Sequence, residues 1–215
     1  MTDRRIGIDF DNTLVLYDQV FRRCGVRRGL LPDGFSGDKN AVRSAIRARP
    51  EGERQWTALQ AEVYGARMEE AEMAAGAAAA LASLKQAGAR IFIVSHKTRF
   101  AAADPATDLR AAAWRWLDGS RLLDSDGGPI RREDVFFEET RAAKLARIGT
   151  TGCESFLDDL EEVFTEPGFP AAVARCLLVL DSGRNPDGPF QVMRSWADFA
   201  AVSAEASLPR PARHG

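Results

Sequence analysis

Two aspartates one residue apart, Asp9 and Asp11, follow a short apolar run in IGIDFDNTLV, residues 6–15. On an extended backbone residues i and i+2 point to the same side, so both carboxylates face one small volume while Phe10 turns away. Two like charges placed so close are costly unless a cation, a shared proton or a reacting group offsets them. Taken alone, the same residues could cap a helix ahead of a turn. Further reactive groups follow later apolar runs: Ser95, His96 and Lys97 after RIFIV, and Asp158 and Asp159 after SFL. In isolation Ser95 reads as a turn residue, and the acidic pair as a complement to the dipole of the helix it precedes.

The elements that must position these groups are legible as five apolar runs, at residues 5–10, 90–94, 135–137, 155–157 and 176–180. Continuous runs of strand length suit strands buried on both faces of a parallel sheet. Helical patterns lie between them. One spans 69–87, with Gly88 as its C-terminal cap. A second spans 101–117, with Leu109, Ala113, Trp116 and Leu117 as its buried stripe. A third covers 140–148 and stops at Gly149, and a fourth covers 161–165 ahead of Pro167. Alternating strands and helices predict an α/β fold, a Rossmann-like open parallel sheet with helices on both faces. Such sheets bind ligands beyond the carboxyl ends of their strands, at a switch in strand order. Polar groups distant in sequence therefore gather at one end of the sheet.

About 80 residues separate the first two strands, far more than a single crossover needs. The excess, 17–73, contains the loop-like stretches GLLPDGFSGDKN and RARPEGERQ and helical stretches at 41–49 and 55–68. We read it as a small helical cap over the strand ends; the alternative is a peripheral insertion with no role in the site. The catalytic core would then be 1–16 and 74–200. Residues 201–215, ending in ASLPRPARHG, are expected to form a disordered tail.

Composition narrows the function classes. The chain has 215 residues, 45% hydrophobic and 28% charged, with a formal net charge of -2. That length can bury one proper core. The charge balance draws in neither nucleic acid nor an anionic membrane, and the basic row Arg22, Arg23, Arg27 and Arg28 reads as a solvated face. No apolar run reaches the length of a membrane helix, and MTDRRIGIDF lacks a signal-peptide core. Cys24, Cys153 and Cys176 are scattered, with no CxxC pair, so reduced thiols in a cytoplasmic protein are expected. A monomer or homodimer is the default, with Trp56 and Trp196 as interface candidates.

DFDNT at 9–13 resembles the DxDx[TV] signature of the haloacid dehalogenase (HAD) superfamily. The remaining motifs follow in that family's order: Ser95 closing IFIVS, Lys144 in a later helix and the acidic pair in FLDDLEE. The resemblance covers about residues 4–16 and 86–200, and it implies a HAD-like core with a cap inserted at 17–73. It also implies a magnesium-dependent phosphatase working through an aspartyl-phosphate. Asp9 would be the nucleophile. Asp11 would be the general acid and then the base, which requires the two aspartates to hold protons differently. Thr13 would hold the loop or touch a phosphoryl oxygen, and Ser95 would donate to one. Lys144 would supply fixed positive charge; Lys97 competes for that role by its position. His96 and Lys97 are candidates to touch substrate. Mg2+ would be held by Asp9, the carbonyl of Asp11 and Asp158, with Asp159 orienting them or itself ligating.

The resemblance favours a phosphomonoester hydrolase acting on a small soluble phosphorylated metabolite. Carbon–halogen cleavage is disfavoured, because family members of that type lack an acid at the position of Asp11. Phosphoryl transfer to another acceptor, as in phosphomutases, would use the same residues. A nucleotide phosphatase predicts a basic channel, which the acidic balance does not suggest. A binding module that has lost turnover normally shows a replaced nucleophile, and here Asp9, Asp11 and Asp158 are all present. Arg22, Arg23, Arg27, Lys39 and Arg43 are candidates to meet a second anionic group of the substrate.

Overall fold

The computed structural model describes residues 4–181 and 183–205. In chain order the elements are β1 (Arg5–Ile8), β2 (Val15–Leu16), α1 (Asp18–Arg27), α2 (Lys39–Arg47), α3 (Gly52–Tyr64), β3 (Glu72–Met73), α4 (Ala77–Gln86), β4 (Arg90–His96), β5 (Phe100–Ala101), β6 (Asp104–Asp108), α5 (Leu109–Gly119), β7 (Val135–Glu138), α6 (Arg141–Thr151), β8 (Ser155–Asp158), α7 (Glu161–Thr165), β9 (Ala174–Leu178), β10 (Gln191–Met193) and α8 (Trp196–Glu205).

Six parallel strands form the central sheet in the order β10-β9-β8-β1-β4-β7. The chain runs outward from β1 through β4 to β7, then crosses back to lay β8, β9 and β10 on the other side. The strand order thus reverses beside β1, where an open α/β sheet offers its binding crevice. The expected α/β fold with a parallel sheet is the one observed. Alternate strand residues feed two apolar layers. Ile6, Ile8, Ile91, Ile93 and Leu157 join the layer shared with α4, α5, α8 and the inserted helices. Phe92, Val94, Phe156 and Leu177 join the layer under α6 and α7. Space at the middle strand is tight: a Cβ on Gly7 would lie 2.5 Å from Phe156 Cδ2.

Several boundaries differ from those expected. The helix predicted over 69–87 begins only at Ala77. Its first part is a 3-10 turn at Met68–Glu70 followed by β3, whose Met73 pairs with Val15, and Gly76 turns the chain at φ 81°. Gly88 does follow the helix in a left-handed conformation (φ 84°). The helix predicted over 101–117 begins at Leu109. Residues 100–108 instead double back as the antiparallel ribbon β5–β6, and the Asp108 carboxylate caps the helix by accepting from Ala111 N at 2.8 Å. Pro105 and the cap override the alanine-rich propensity of 101–103. The expected stripe Leu109, Ala113, Trp116 and Leu117 is buried. Helix α6 runs through Gly149 to Thr151 and ends at Gly152 (φ 66°).

The inserted helices α2 and α3 lie near the expected 41–49 and 55–68, with α1 ahead of them. The insertion leaves and rejoins the core at the ribbon β2–β3, where Leu16 pairs with Glu72. Trp56 stacks on Phe21 and Trp196 is buried in the core, so neither offers surface to an interface. Helix α8 extends to Glu205, so 201–205, expected to belong to a disordered tail, are helical; the rest of that tail, 206–215, lies outside the described residues.

Candidate active site

The loop after β1 begins by extending its strand, with Asp9 N donating to the Leu157 carbonyl at 2.8 Å. It then turns sharply: Asn12 is left-handed (φ 61°), and Leu14 N and Val15 N both reach back to the Phe10 carbonyl. Asn tolerates that conformation better than most residues. Phe10 turns into the core, edge-on to Trp116 and Phe137, as the alternation requires. Asp9 and Asp11 are left facing one cavity of about 370 Å³, which Asn12, Ser95, His96, Lys97, Arg141 and Lys144 also line.

Lys144 sits on the buried stripe Lys144, Leu145, Ile148 and Thr151 of α6. The Thr140 side chain caps this helix, fixing its start beside the strand ends. The Lys144 ammonium lies 2.5 Å from Asp9 Oδ1 and 2.6 Å from Asp158 Oδ2, with all three groups buried. Asp158 Oδ1 also accepts from Leu160 N at 3.0 Å. Oxygens of Asp9, Asp158 and Asp159 lie within 4.8 Å of one another. Burial, then the Asp158 and Asp11 charges, raise Asp9 to about 7 against the lowering pull of Lys144. Asp159 is raised well above the usual carboxylate range by burial, then by Asp158 and Asp9. Burial works against the Lys144 charge, but Asp158 and Asp9 outweigh it and raise its pKa.

Asp11 has different partners. Lys97 Nζ lies 2.8 Å from its Oδ2 and 3.0 Å from its Oδ1. The Tyr17 hydroxyl donates to its Oδ1. Burial, then the Asp11 charge, raise Tyr17 well above the ordinary phenol value, so it remains a donor. Lys97 is anchored through its backbone: its N–H donates to the Glu138 carbonyl, and its carbonyl accepts from Arg110.

The fold therefore brings Asp9, Asp11, Ser95, Lys144, Asp158 and Asp159 to one end of the sheet. Ser95 is buried at the cavity wall, whereas His96 is exposed near its edge, with its ring 3.2 Å from the Glu139 carbonyl. Thr13 is not among the lining residues. Its hydroxyl donates to Asp159 Oδ1 at 3.2 Å and its carbonyl accepts from Trp196, so it holds the loop. Lys144 occupies the place beside Asp9, and Lys97 serves Asp11.

Sequence reasoning missed Tyr17, Arg141 and the wall supplied by α3. Tyr17 follows a two-residue strand and carries no motif. Thr57, Gln60, Ala61 and Tyr64 recur at helical spacing, which reads equally well as an amphipathic face. Lys39 lines the cavity, whereas Arg22, Arg23 and Arg27 are engaged elsewhere, by the Gly37 carbonyl, Glu70 and Glu62.

No protein-family model matches the chain, and no curated protein does. Solved structures match over nearly the whole length. A HAD family hydrolase from Deinococcus radiodurans R1, with bound phosphate and sodium, aligns at TM-score 0.59 and 19% identity over 98% of this chain and 99% of that one. A haloacid dehalogenase-like hydrolase from Streptococcus pneumoniae aligns at 0.58 and 14%, over 94% and 99%. A Bacillus subtilis structure assigned to the HAD-hydrolases and bound to magnesium aligns at 0.54 and 13%, over 94% and 99%. The chain has the HAD-like fold that its motifs imply.

Proposed function

We propose that this chain is a magnesium-dependent phosphomonoester hydrolase that forms an aspartyl-phosphate on Asp9, with a small soluble phosphorylated metabolite as substrate. The observation that carries the reading is the buried cluster of Asp9, Lys144 and Asp158 opening onto a cavity that also holds Asp11 and Ser95. Three carboxylates within 4.8 Å form an all-oxygen set that fits a hard divalent cation, whose charge would offset the burial and mutual repulsion that raise Asp9 and Asp159. Mg2+ would be held by Asp9, the Asp11 carbonyl, Asp158 and Asp159. It would supply positive charge for the transferring phosphoryl group.

The chain's own residues supply the rest. An Asp9 oxygen forms a bond to phosphorus as the ester oxygen departs. Asp11 gives that oxygen its proton, and Lys97 and Tyr17 stabilise the carboxylate that remains. Ser95 and Lys144 hold the phosphoryl oxygens. In the second half Asp11 takes a proton from water, which attacks phosphorus and breaks the bond to Asp9. Residues 1–16 and 74–200 act as the catalytic core and 17–73 as its cap. Three free, buried cysteines fit the cytoplasmic setting expected from the sequence.

Phosphate release from a panel of phosphorylated sugars, nucleotides and small acids, with and without Mg2+, tests this reading. Release that requires both the cation and Asp9 is expected. Release unaffected by Asp9→Asn would sink the covalent mechanism.

A further inference from the structure

The inserted helices contribute one charged group to the cavity wall, and its surroundings differ from those of every other cation there. Lys144 is satisfied by Asp9 and Asp158, Lys97 by Asp11, and Arg141 by Glu166 at 3.1 Å. Lys39 has no ion pair among the described residues. Its ammonium lies 5.9 Å from the Phe21 ring centre and 5.6 Å from that of Tyr64. Aromatic faces attract a cation without neutralising it. Burial lowers its pKa, with Asp11 and Asp159 the leading charges that counter the shift.

Its position is fixed by the backbone. Lys39 opens α2, its N–H donates to Asp18 Oδ1 at 2.9 Å, and Asp38 caps the helix through Ala41 N. Gln60 and Thr57 of α3 add polar side chains to the wall, and Ala61, Ala101 and Leu109 form a small apolar surface between the insertion and the β5–β6 ribbon. A cavity of about 370 Å³ lies near the lower end of the usual size for small-molecule sites.

We propose that the substrate carries a second anionic group besides the transferred phosphate, a carboxylate or another phosphate, and that Lys39 is the specificity-determining residue that binds it. This rests on the phosphohydrolase reading and extends it from reaction to substrate class: a compact, doubly anionic phosphate ester with a short carbon body. A site that presents a half-buried, unpaired cation favours ligands that complete it over those that leave it unpaired.

The test uses matched pairs of phosphate esters on one carbon skeleton, such as glycerol phosphate against the compound with a carboxylate in place of its free terminal hydroxymethyl. The wild-type chain should prefer the doubly anionic member. Lys39→Met should raise KM for that member by about 10- to 100-fold, the range for losing a charged hydrogen bond, and leave its partner's KM unchanged. Lys39→Arg should restore part of the preference. Equal effects of Lys39→Met on both members would mean that Lys39 serves the transferred phosphate, which overturns the proposal; so would absence of any preference in the wild type. A binding arm separates this from failure of the phosphohydrolase reading. Calorimetric titration of Asp9→Asn, with Lys39 intact or changed to Met, reads the preference without turnover. Tighter binding of the doubly anionic member that disappears with Lys39 supports the proposal even if no ester is hydrolysed. Equal binding of both members overturns it.

Discussion

The strand ends and the inserted wall face each other across one cavity, yet they handle charge in opposite ways. Among the described residues the lysines at the strand ends are matched: Lys144 bridges Asp9 and Asp158, and Lys97 grips Asp11. On the inserted wall Lys39 stands over aromatic rings. Matched charges hold a fixed arrangement that any ester would meet. An unmatched charge discriminates, because only some ligands complete it. On the proposed reading, bond-making and choice of substrate fall to separate parts of the chain, joined by the narrow β2–β3 ribbon.

The largest expected effect tests the strand-end half of that contrast. Asp9→Asn should lower kcat by roughly 10³-fold or more on every ester alike, as deletion of a nucleophile does. A loss confined to some substrates, seen in steady-state kinetics, would break the division of labour. Lys144→Met should abolish turnover and also destabilise the metal-free protein by about 3–5 kcal/mol, the cost of leaving buried charge without its partner. Thermal denaturation should show Mg2+ recovering part of that loss, since a cation can replace the missing charge.

Tyr17 sharpens the comparison because it belongs to the insertion but touches Asp11. Tyr17→Phe should reduce kcat about tenfold with little change in KM, by analogy with losing a donor to a catalytic group. A change in KM alone would place Tyr17 with the selecting wall instead. A smaller effect concerns pH. Asp9 is raised from 3.8 to about 7 in the folded chain. The folded state therefore holds a proton there that the unfolded state releases between about pH 4 and 7. Without divalent cation, wild-type stability should rise as pH falls through that window, and Asp9→Asn should lack this contribution. Chemical denaturation across the range reads both slopes. The smallest effect is expected from Arg23→Ala on the outer row of α1, which should leave KM for every ester unchanged.

The strands were legible because burial on both faces demands unbroken apolar runs, and β4, β7, β8 and β9 carry them. Strand β10, three residues long, gives no such signal. The ribbon at 100–108 was hidden by alanines whose helix preference a nearby cap and proline override, and β3 by glutamates and methionine that suit a helix equally well. In the site, Asp9, Asp11, Ser95 and the acidic pair were readable from their places after strands, and Lys144 from the motif order of the family that the chain resembles. Tyr17 and the role of Lys97 were not. Both depend on which side chain meets Asp11 in three dimensions, and no local spacing encodes that. Lys39 was one of five basic candidates until the fold turned three of the others toward partners of their own.

The order of the sheet has a consequence for how the protein comes into being. Asp9 is made early, but its contact with Lys144 spans 135 residues, and the Thr13 carbonyl awaits an indole 183 residues downstream. Contacts of such long range close slowly, after local helices have formed. On the ribosome the loop that carries Asp9 emerges well before the strand and helix that complete it. Onset of turnover during refolding should therefore lag behind helix formation, making activity a late marker of the finished sheet.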